Sequence, residues 1–247
     1  MPLAVGVNAP PAFDNFVPGV NQEVCNQVLA WRLGEVSTGL FLWGGSGTGK
    51  SHLLRAAAEL DAGCPCHYLS LANMNQAELA TLATHEAFCL DDLDGLLGQA
   101  DGENALFRLF LGLQADNGRW LVAARSPPRA LPVQLPDLRS RWMAAPVFQL
   151  RPPDDAARLV ILQGAARRRG LTLDEESASY LLHRVSRDLH ALDRLMNHLD
   201  RLTLAVQRRI TIPLLREVLE QVPDDALGEK RHESNPGGED HNPITIN

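Results

Sequence analysis

Over the first 150 residues, short apolar runs alternate with longer stretches in which apolar positions recur every three or four residues. Gly39-Leu40-Phe41-Leu42-Trp43 is the first such run and predicts a buried strand. Before it, Val24, Val28, Leu29 and Leu33 predict a helix from Asn21 to Leu33, with Asn21 as its N-cap. After it come a helix over about 50–60, a strand His67–Leu71, a short helix near 75–83 and a strand Ala87–Asp91. A helix over about 103–115, a strand Arg119–Ala124 and a strand Val147–Leu150 complete the series. Five strands separated by helices predict an α/β fold, a parallel sheet with helices on both faces.

The pattern changes after Pro153. Asp154–Arg168, Asp174–Val185, Arg187–Leu204 and Pro213–Val222 all read as helices, and no strand is expected between them. In the third, Leu189, Leu192, Leu195, Met196, Leu199 and Leu202 form one apolar stripe. The chain therefore divides into an extended, Pro/Gly/Asn-rich N-terminal segment (1–20), an α/β domain (21–152), a small all-α subdomain (153–222) and a tail (223–247). The tail is acidic, lacks hydrophobic periodicity and is expected to be disordered.

Composition adds limits. Apolar residues make up 45% and charged residues 21%, as in a soluble globule, and with aromatics at only 5% the core is aliphatic. The formal net charge of −7 argues against a DNA-coating surface. It is uneven: −5 over residues 1–150, +2 over 151–222 and −4 over 223–247. The +2 balance of 151–222 and the Arg167-Arg168-Arg169 run would permit weak phosphate contact, but a solvated helix face outweighs it, so no specific DNA binding is expected. Cys25, Cys64, Cys66 and Cys89 are few and irregularly spaced, without a preceding signal sequence, which implies a reduced cytoplasmic setting. Cys64-Pro65-Cys66-His67 lacks a second ligand pair at zinc-site spacing, so buried or loop thiols outweigh a metal site. No apolar run is long enough to span a membrane.

Lysine occurs only at Lys50 and Lys230. Lys50 belongs to Gly44-Gly45-Ser46-Gly47-Thr48-Gly49-Lys50-Ser51, which matches the phosphate-binding pattern G-x-x-x-x-G-K-[ST] between a predicted strand and helix. Glycines let consecutive N–H groups curve around phosphate oxygens, and the following helix N-terminus adds partial positive charge. Lys50 would face the β- and γ-phosphates, and Ser51 would ligate Mg²⁺. The strand Phe88-Cys89-Leu90-Asp91-Asp92 brings carboxylates to the same sheet edge. Asp91 would hold Mg²⁺, directly or through water, and Asp92 would orient the attacking water; Asp94 reads as a surface residue.

With both motifs located, the chain resembles the AAA+ ATPases of the DnaA replication-initiator group, and within it the short Hda-type regulators that inactivate DnaA. The resemblance covers about residues 13–222. It implies the AAA+ form of the fold, a five-stranded parallel sheet followed by a helical lid, and a bound ADP or ATP with Mg²⁺. Phe13–Gly19 resembles the segment that packs over adenine in this family, making Phe16 and Val17 candidate contacts; as bare sequence it reads equally well as a hydrophobic staple. Leu135-Pro136-Asp137-Leu138-Arg139-Ser140-Arg141-Trp142 is similar to the family's arginine-finger segment, with Arg141 at the finger position and Arg139 the nearby alternative. Ser186-Arg187-Asp188-Leu189 resembles the sensor-2 motif, so Arg187 would reach from the lid to the nucleotide.

Two stretches depart from the family pattern. Where sensor 1 usually carries a polar or acidic residue, Ala124 and Arg125 stand, which argues for weak hydrolysis in the chain's own site. Where Hda-type proteins carry a glutamine-containing motif for the polymerase sliding clamp, this chain reads Met1-Pro2-Leu3-Ala4-Val5. Residues after Val222 are acidic and Pro/Gly-rich, so the DNA-reading helix-turn-helix module of DnaA is not expected there. The resemblance implies DnaA as the partner and Arg141 as a finger acting on its ATP. An autonomous ATPase or helicase loader, and a non-catalytic nucleotide-dependent DnaA adaptor, are the alternatives. Self-association is left open.

Overall fold

The computed structural model describes residues 11–82, 84–184, 192, 194–196, 199 and 209–221. Its main sheet consists of β1 (Gly39–Trp43), β2 (Cys66–Ser70), β3 (Ala87–Asp91), β4 (Arg119–Ala124) and β5 (Val147–Gln149) in the order β2-β3-β4-β1-β5. Every pairing is parallel. The apolar runs are continuous because both faces of the sheet are covered. Phe41, Phe88, Leu90, Trp120 and Val122 point into one core, and Leu40, Leu42, Cys89, Leu121 and Ala123 into the other.

The second core is closed by α1 (Gln22–Leu33) and α2 (Lys50–Glu59) through Val28, Trp31, Leu53 and Leu54. The first is closed by α4 (Ala100–Ala115) and α5 (Pro136–Ala144) through Leu106, Phe110, Leu138 and Trp142. Phe110 meets Trp120 and Trp142 edge-on, at centroid distances of 5.1 and 6.0 Å. Helix α5 was not anticipated as a helix. Pro136 occupies its first turn, where the missing N–H costs nothing, and Leu138 and Trp142 share its inner face.

The second layer of structure follows Pro153. It comprises α6 (Asp155–Arg168), β6 (Thr172–Leu173), α7 (Glu175–Arg184), β7 (Arg209–Ile210) and α8 (Ile212–Gln221). Leu162, Ala166, Leu181, Ile210, Leu215 and Val218 form a separate core. Leu192, Leu195, Met196 and Leu199 of the expected stripe are buried in it, whereas Leu189 and Leu202 lie outside the described residues. Most of the expected helix 187–204 lies outside them too.

Four local expectations are corrected. Strands β6 and β7 pair in parallel where none was expected: Leu173 and Ile210 are drawn into the lid core, and two-residue strands are too short to show a period. Residues 11–20 are not simply extended but hold 3-10 turns at Phe13–Asn15 and, beginning there, Gly19–Asn21, the first closed by the Asn15 carboxamide accepting from Ala12 N–H. The short helix α3 spans only Gln76–Leu79; Asn75 and Glu78 cap it reciprocally, and the Thr81 hydroxyl donates to the Glu78 carbonyl at its end. Asn21 does not cap α1 through its side chain. Its amide N–H instead donates to the Arg151 carbonyl at 2.9 Å, and its Oδ1 accepts from Arg151 N–H at 2.8 Å.

Candidate functional site

The loop Gly44–Ser51 leaves the C-terminal end of β1 and turns into α2. Two of its glycines are required sterically. A Cβ at Gly44 would fall 2.4 Å from the Leu150 carbonyl oxygen, and Gly49 combines a φ of +95° with a close approach to the Phe16 ring. Thr48 is buried and its hydroxyl donates to the Gly45 carbonyl at 3.0 Å. Lys50 opens α2 and folds back over the loop, its Nζ donating to the Gly44 and Gly45 carbonyls at 2.7 Å each. Burial lowers the Lys50 pKa, and the carboxylates of Asp91 and Asp94 work against that shift.

The acidic end of β3 faces this loop. Asp91 is 1% exposed; its Oδ1 accepts from Asp92 N–H at 3.0 Å and its Oδ2 from the Tyr68 hydroxyl at 2.8 Å. Asp92 sits at φ +55°, and its Oδ2 accepts from the Ser70 hydroxyl at 3.0 Å. Asp94, expected on the surface, is half-buried and accepts from Arg125 N–H at 3.0 Å, tying the turn after β3 to the end of β4. Burial, reinforced by the Asp91 carboxylate and opposed by Arg55, pushes the Tyr68 pKa up to about 12, so its hydroxyl remains a donor.

Two connected hollows result. The larger, about 810 Å³, is lined by Ser46–Ser51, Asp91, Asp92 and Arg125, and from the lid by Arg168 and Arg169. The smaller, about 380 Å³, is lined by Phe16, Val17, Thr48 and His52, with Val160, Ile161 and Gly164 of α6 opposite. The Phe16 and His52 rings lie 5.5 Å apart, and burial lowers the His52 pKa. A charged, donor-rich hollow beside an apolar slot fits a nucleotide, polyphosphate in one and base in the other. Among the described residues no cluster of three or more His, Cys, Asp or Glu is placed to hold a metal ion. Ser51 and Asp91 both line the larger hollow, where they could meet a Mg²⁺ carried in with phosphate oxygens.

The predicted residues thus separate. Ser46–Ser51, Asp91 and Asp92 come together around the larger hollow, Gly44 and Gly45 support Lys50, and Phe16 and Val17 line the smaller one. Arg141 lines neither. It projects from α5 toward α4, donating to Gln114 Oε1 at 2.7 Å and the Phe110 carbonyl at 3.4 Å. Arg139, the alternative finger, is turned back on its own loop, donating to the Leu131 and Val133 carbonyls. Arg187 lies outside the described residues. All four cysteines are free, with Cys66 and Cys89 3.7 Å apart.

Sequence reasoning missed Tyr68 and Ser70, which hold the acids; Arg168 is exposed as expected and also lines both hollows. The same reasoning missed Glu103, 1% exposed, whose carboxylate accepts from the N–H groups of Gly98, Gln134 and Leu135 immediately before α5. No local pattern marks these residues.

Two family models match parts of this chain. The family model "Hda, lid domain" matches residues 155–219, and "Bacterial DnaA ATPAse domain" matches residues 7–63. An uncharacterized protein of Haemophilus influenzae is 37% identical over 185 residues, covering 72% of this chain and 80% of that protein. Domain III of the Thermotoga maritima replication initiation protein DnaA superposes with a TM-score of 0.73 at 20% identity, over 87% of this chain and 98% of that one. AMPPCP-bound DnaA from Aquifex aeolicus gives 0.64 at 22% identity, over 79% and 66%. The RuvB Holliday junction branch migration motor of T. maritima gives 0.68 at 22%, over 90% and 75%. Such structural likenesses show the fold, a five-stranded parallel sheet with a lid at 155–219. Taken with the lid match and the H. influenzae relative, they place this chain in the Hda/DnaA-related AAA+ proteins.

Proposed function

We propose that this protein binds ADP or ATP in its own P-loop hollow and acts as an Hda-type regulator of replication initiation. It would bring Arg141 to ATP held by DnaA and promote its hydrolysis, leaving DnaA in the inactive ADP form. Water attacks the γ-phosphorus, the bond to the β-phosphate bridging oxygen breaks, and inorganic phosphate leaves. Mg²⁺ would offset charge on the phosphates. Arg141's part is to place a guanidinium on the equatorial oxygens of the transferring phosphoryl group. In the chain's own site, Lys50 and the loop N–H groups bind the phosphates, Ser51 and Asp91 would hold Mg²⁺, and Phe16 and Val17 would face adenine, as the AMPPCP-bound DnaA neighbour suggests.

The observation carrying this reading is the separation of Arg141 from the chain's own hollows, the arrangement a residue meant for a neighbour's nucleotide requires. The test measures ATP hydrolysis by DnaA with wild-type protein or Arg141→Ala, with and without the sliding clamp. Wild type should accelerate hydrolysis and Arg141→Ala should lose the effect, in line with the ~10³-fold or greater contribution of such fingers. No acceleration by wild type with its partners present overturns the reading.

Asp92 favours a second reading, an autonomous ATPase. Its carboxylate lines the phosphate hollow and is fixed by Ser70, as a water-orienting group would be. Rapid turnover by the protein alone, abolished by Lys50→Ala, would establish it.

A further inference from the structure

The structure brings to Asp91 a partner that neither phosphate motif contains. In the parallel register Ser70 lies opposite Asp91, and Tyr68 opposite Cys89. The Tyr68 phenol therefore reaches forward along the neighbouring strand to the Asp91 carboxylate, which only a long side chain can do. Its hydroxyl donates to Oδ2 at 2.8 Å, while Oδ1 is occupied by Asp92 N–H at 3.0 Å. Each carboxylate oxygen carries one protein donor, so rotation of the group would break one bond or the other. Asp91 is almost wholly buried, and either broken bond would leave an unsatisfied acceptor.

Tyr68 is held in turn. Arg55, five residues beyond Lys50 on α2, lies over the Tyr68 ring at 4.7 Å from its centroid, and its Nη2 donates to the phenol oxygen at 3.4 Å. Arg55, Tyr68 and Asp91 all line the phosphate hollow. A continuous set of contacts thus runs from the helix beginning at Lys50, through edge strand β2, to the acid at the end of β3.

We infer that Tyr68, braced by Arg55, is a positioning residue for Asp91: it fixes the plane in which this carboxylate meets a nucleotide-borne divalent cation. The inference rests on the nucleotide reading of the hollow and adds the residues that set its cation dependence. Outer-shell donors of this kind typically govern metal affinity by ~10-fold or more. A purely structural Tyr68 would affect nucleotide affinity equally with and without the cation. A positioning Tyr68 affects only the part that the cation contributes.

The experiment uses the full chain and a fluorescent ADP derivative. Affinity is measured in EDTA, then Mg²⁺ is titrated in, for wild type, Tyr68→Phe, Arg55→Gln and Asp91→Asn. Tyr68→Phe should keep the EDTA affinity within about twofold and need ~10-fold more Mg²⁺ for half of the Mg²⁺-dependent tightening. Arg55→Gln, a change on the exposed side of α2 that spares the Asp91 bond, should shift that midpoint the same way by about two- to threefold. Asp91→Asn should remove the tightening. Wild-type binding with an unmoved Tyr68→Phe midpoint, or with equal losses in EDTA and Mg²⁺, overturns the proposal alone. No nucleotide binding by wild type in either condition overturns the nucleotide reading, and the proposal with it.

Discussion

The P-loop hollow and helix α5 each present a cationic side chain, but they hold it in opposite ways. Lys50 is half-buried, folded over its own loop, and flanked by Asp91, Asp92 and Asp94. Among the described residues, Arg141 donates to neutral acceptors, Gln114 Oε1 and the Phe110 carbonyl. A lysine surrounded by carboxylates suits a ligand that arrives with its own divalent cation. An arginine whose hydrogen bonds go to neutral dipoles would have its bidentate fork available to an anion brought from outside. The two regions are also stabilised separately, the first by bonds within the loop and the second by Glu103, which pins the segment entering α5.

The strongest test of that division is Arg141→Ala. It should remove stimulation of DnaA-bound ATP hydrolysis by ~10³-fold, while isothermal titration with ADP shows unchanged affinity for the chain's own site. Lys50→Ala should do the reverse, costing about 100-fold in ADP affinity, the equivalent of ~2.7 kcal/mol. Equal damage to both functions by either variant would show the two regions to be one site. Glu103→Gln should destabilise the fold by about 2–3 kcal/mol in urea unfolding, because an amide donor would face backbone N–H groups in a buried place. In hydrogen exchange, the amides of Gln134 and Leu135 should lose protection and that of Arg125 should keep it.

The smallest effect concerns pH. His52 Nε2 lies 3.2 Å from the Ala12 carbonyl, and burial, with Arg168 and Arg55 nearby, holds its folded-state pKa below the ordinary 6.5. The unfolded chain therefore binds a proton that the folded one refuses, and this group's contribution weakens as pH falls below about 6.5. His52→Gln should flatten the difference in urea midpoint between pH 7.5 and pH 5.5. An unchanged pH slope would assign the dependence to other groups.

What could be read from the sequence follows from how locally each feature is encoded. The sheet was legible because its strands are covered on both faces and so appear as unbroken apolar runs, as in Phe88-Cys89-Leu90. The phosphate loop was legible because eight consecutive residues carry its chemistry. The residues that orient the site were not. Tyr68 reaches Asp91 across 23 positions, Glu103 reaches Gln134 across 31, and Asn21 reaches Arg151 across 130. Each relation is created by strand order and loop packing, and the residue types involved also fit surface, cap or core roles. Arg168 is exposed, as its helical spacing predicts, and what that spacing does not show is that it also lines both hollows.

The paired bonds between Asn21 and Arg151 also have a mechanical consequence. One side-chain amide bonded to both the N–H and the C=O of a single residue reproduces a rung of a β-ladder, so the backbone is nailed to the sheet domain as far as Arg151. Pro152 and Pro153 follow with no N–H to bond, and Asp154 caps α6 by accepting from Ala157 N–H at 2.7 Å. Those three residues join the sheet domain to α6, which ends at Arg168. At 1.5 Å per residue that helix is ~20 Å long, so a turn of about 10° at its start would carry its far end by ~3–4 Å. Any rotation at this joint would thus be magnified where Arg168 lines the hollows.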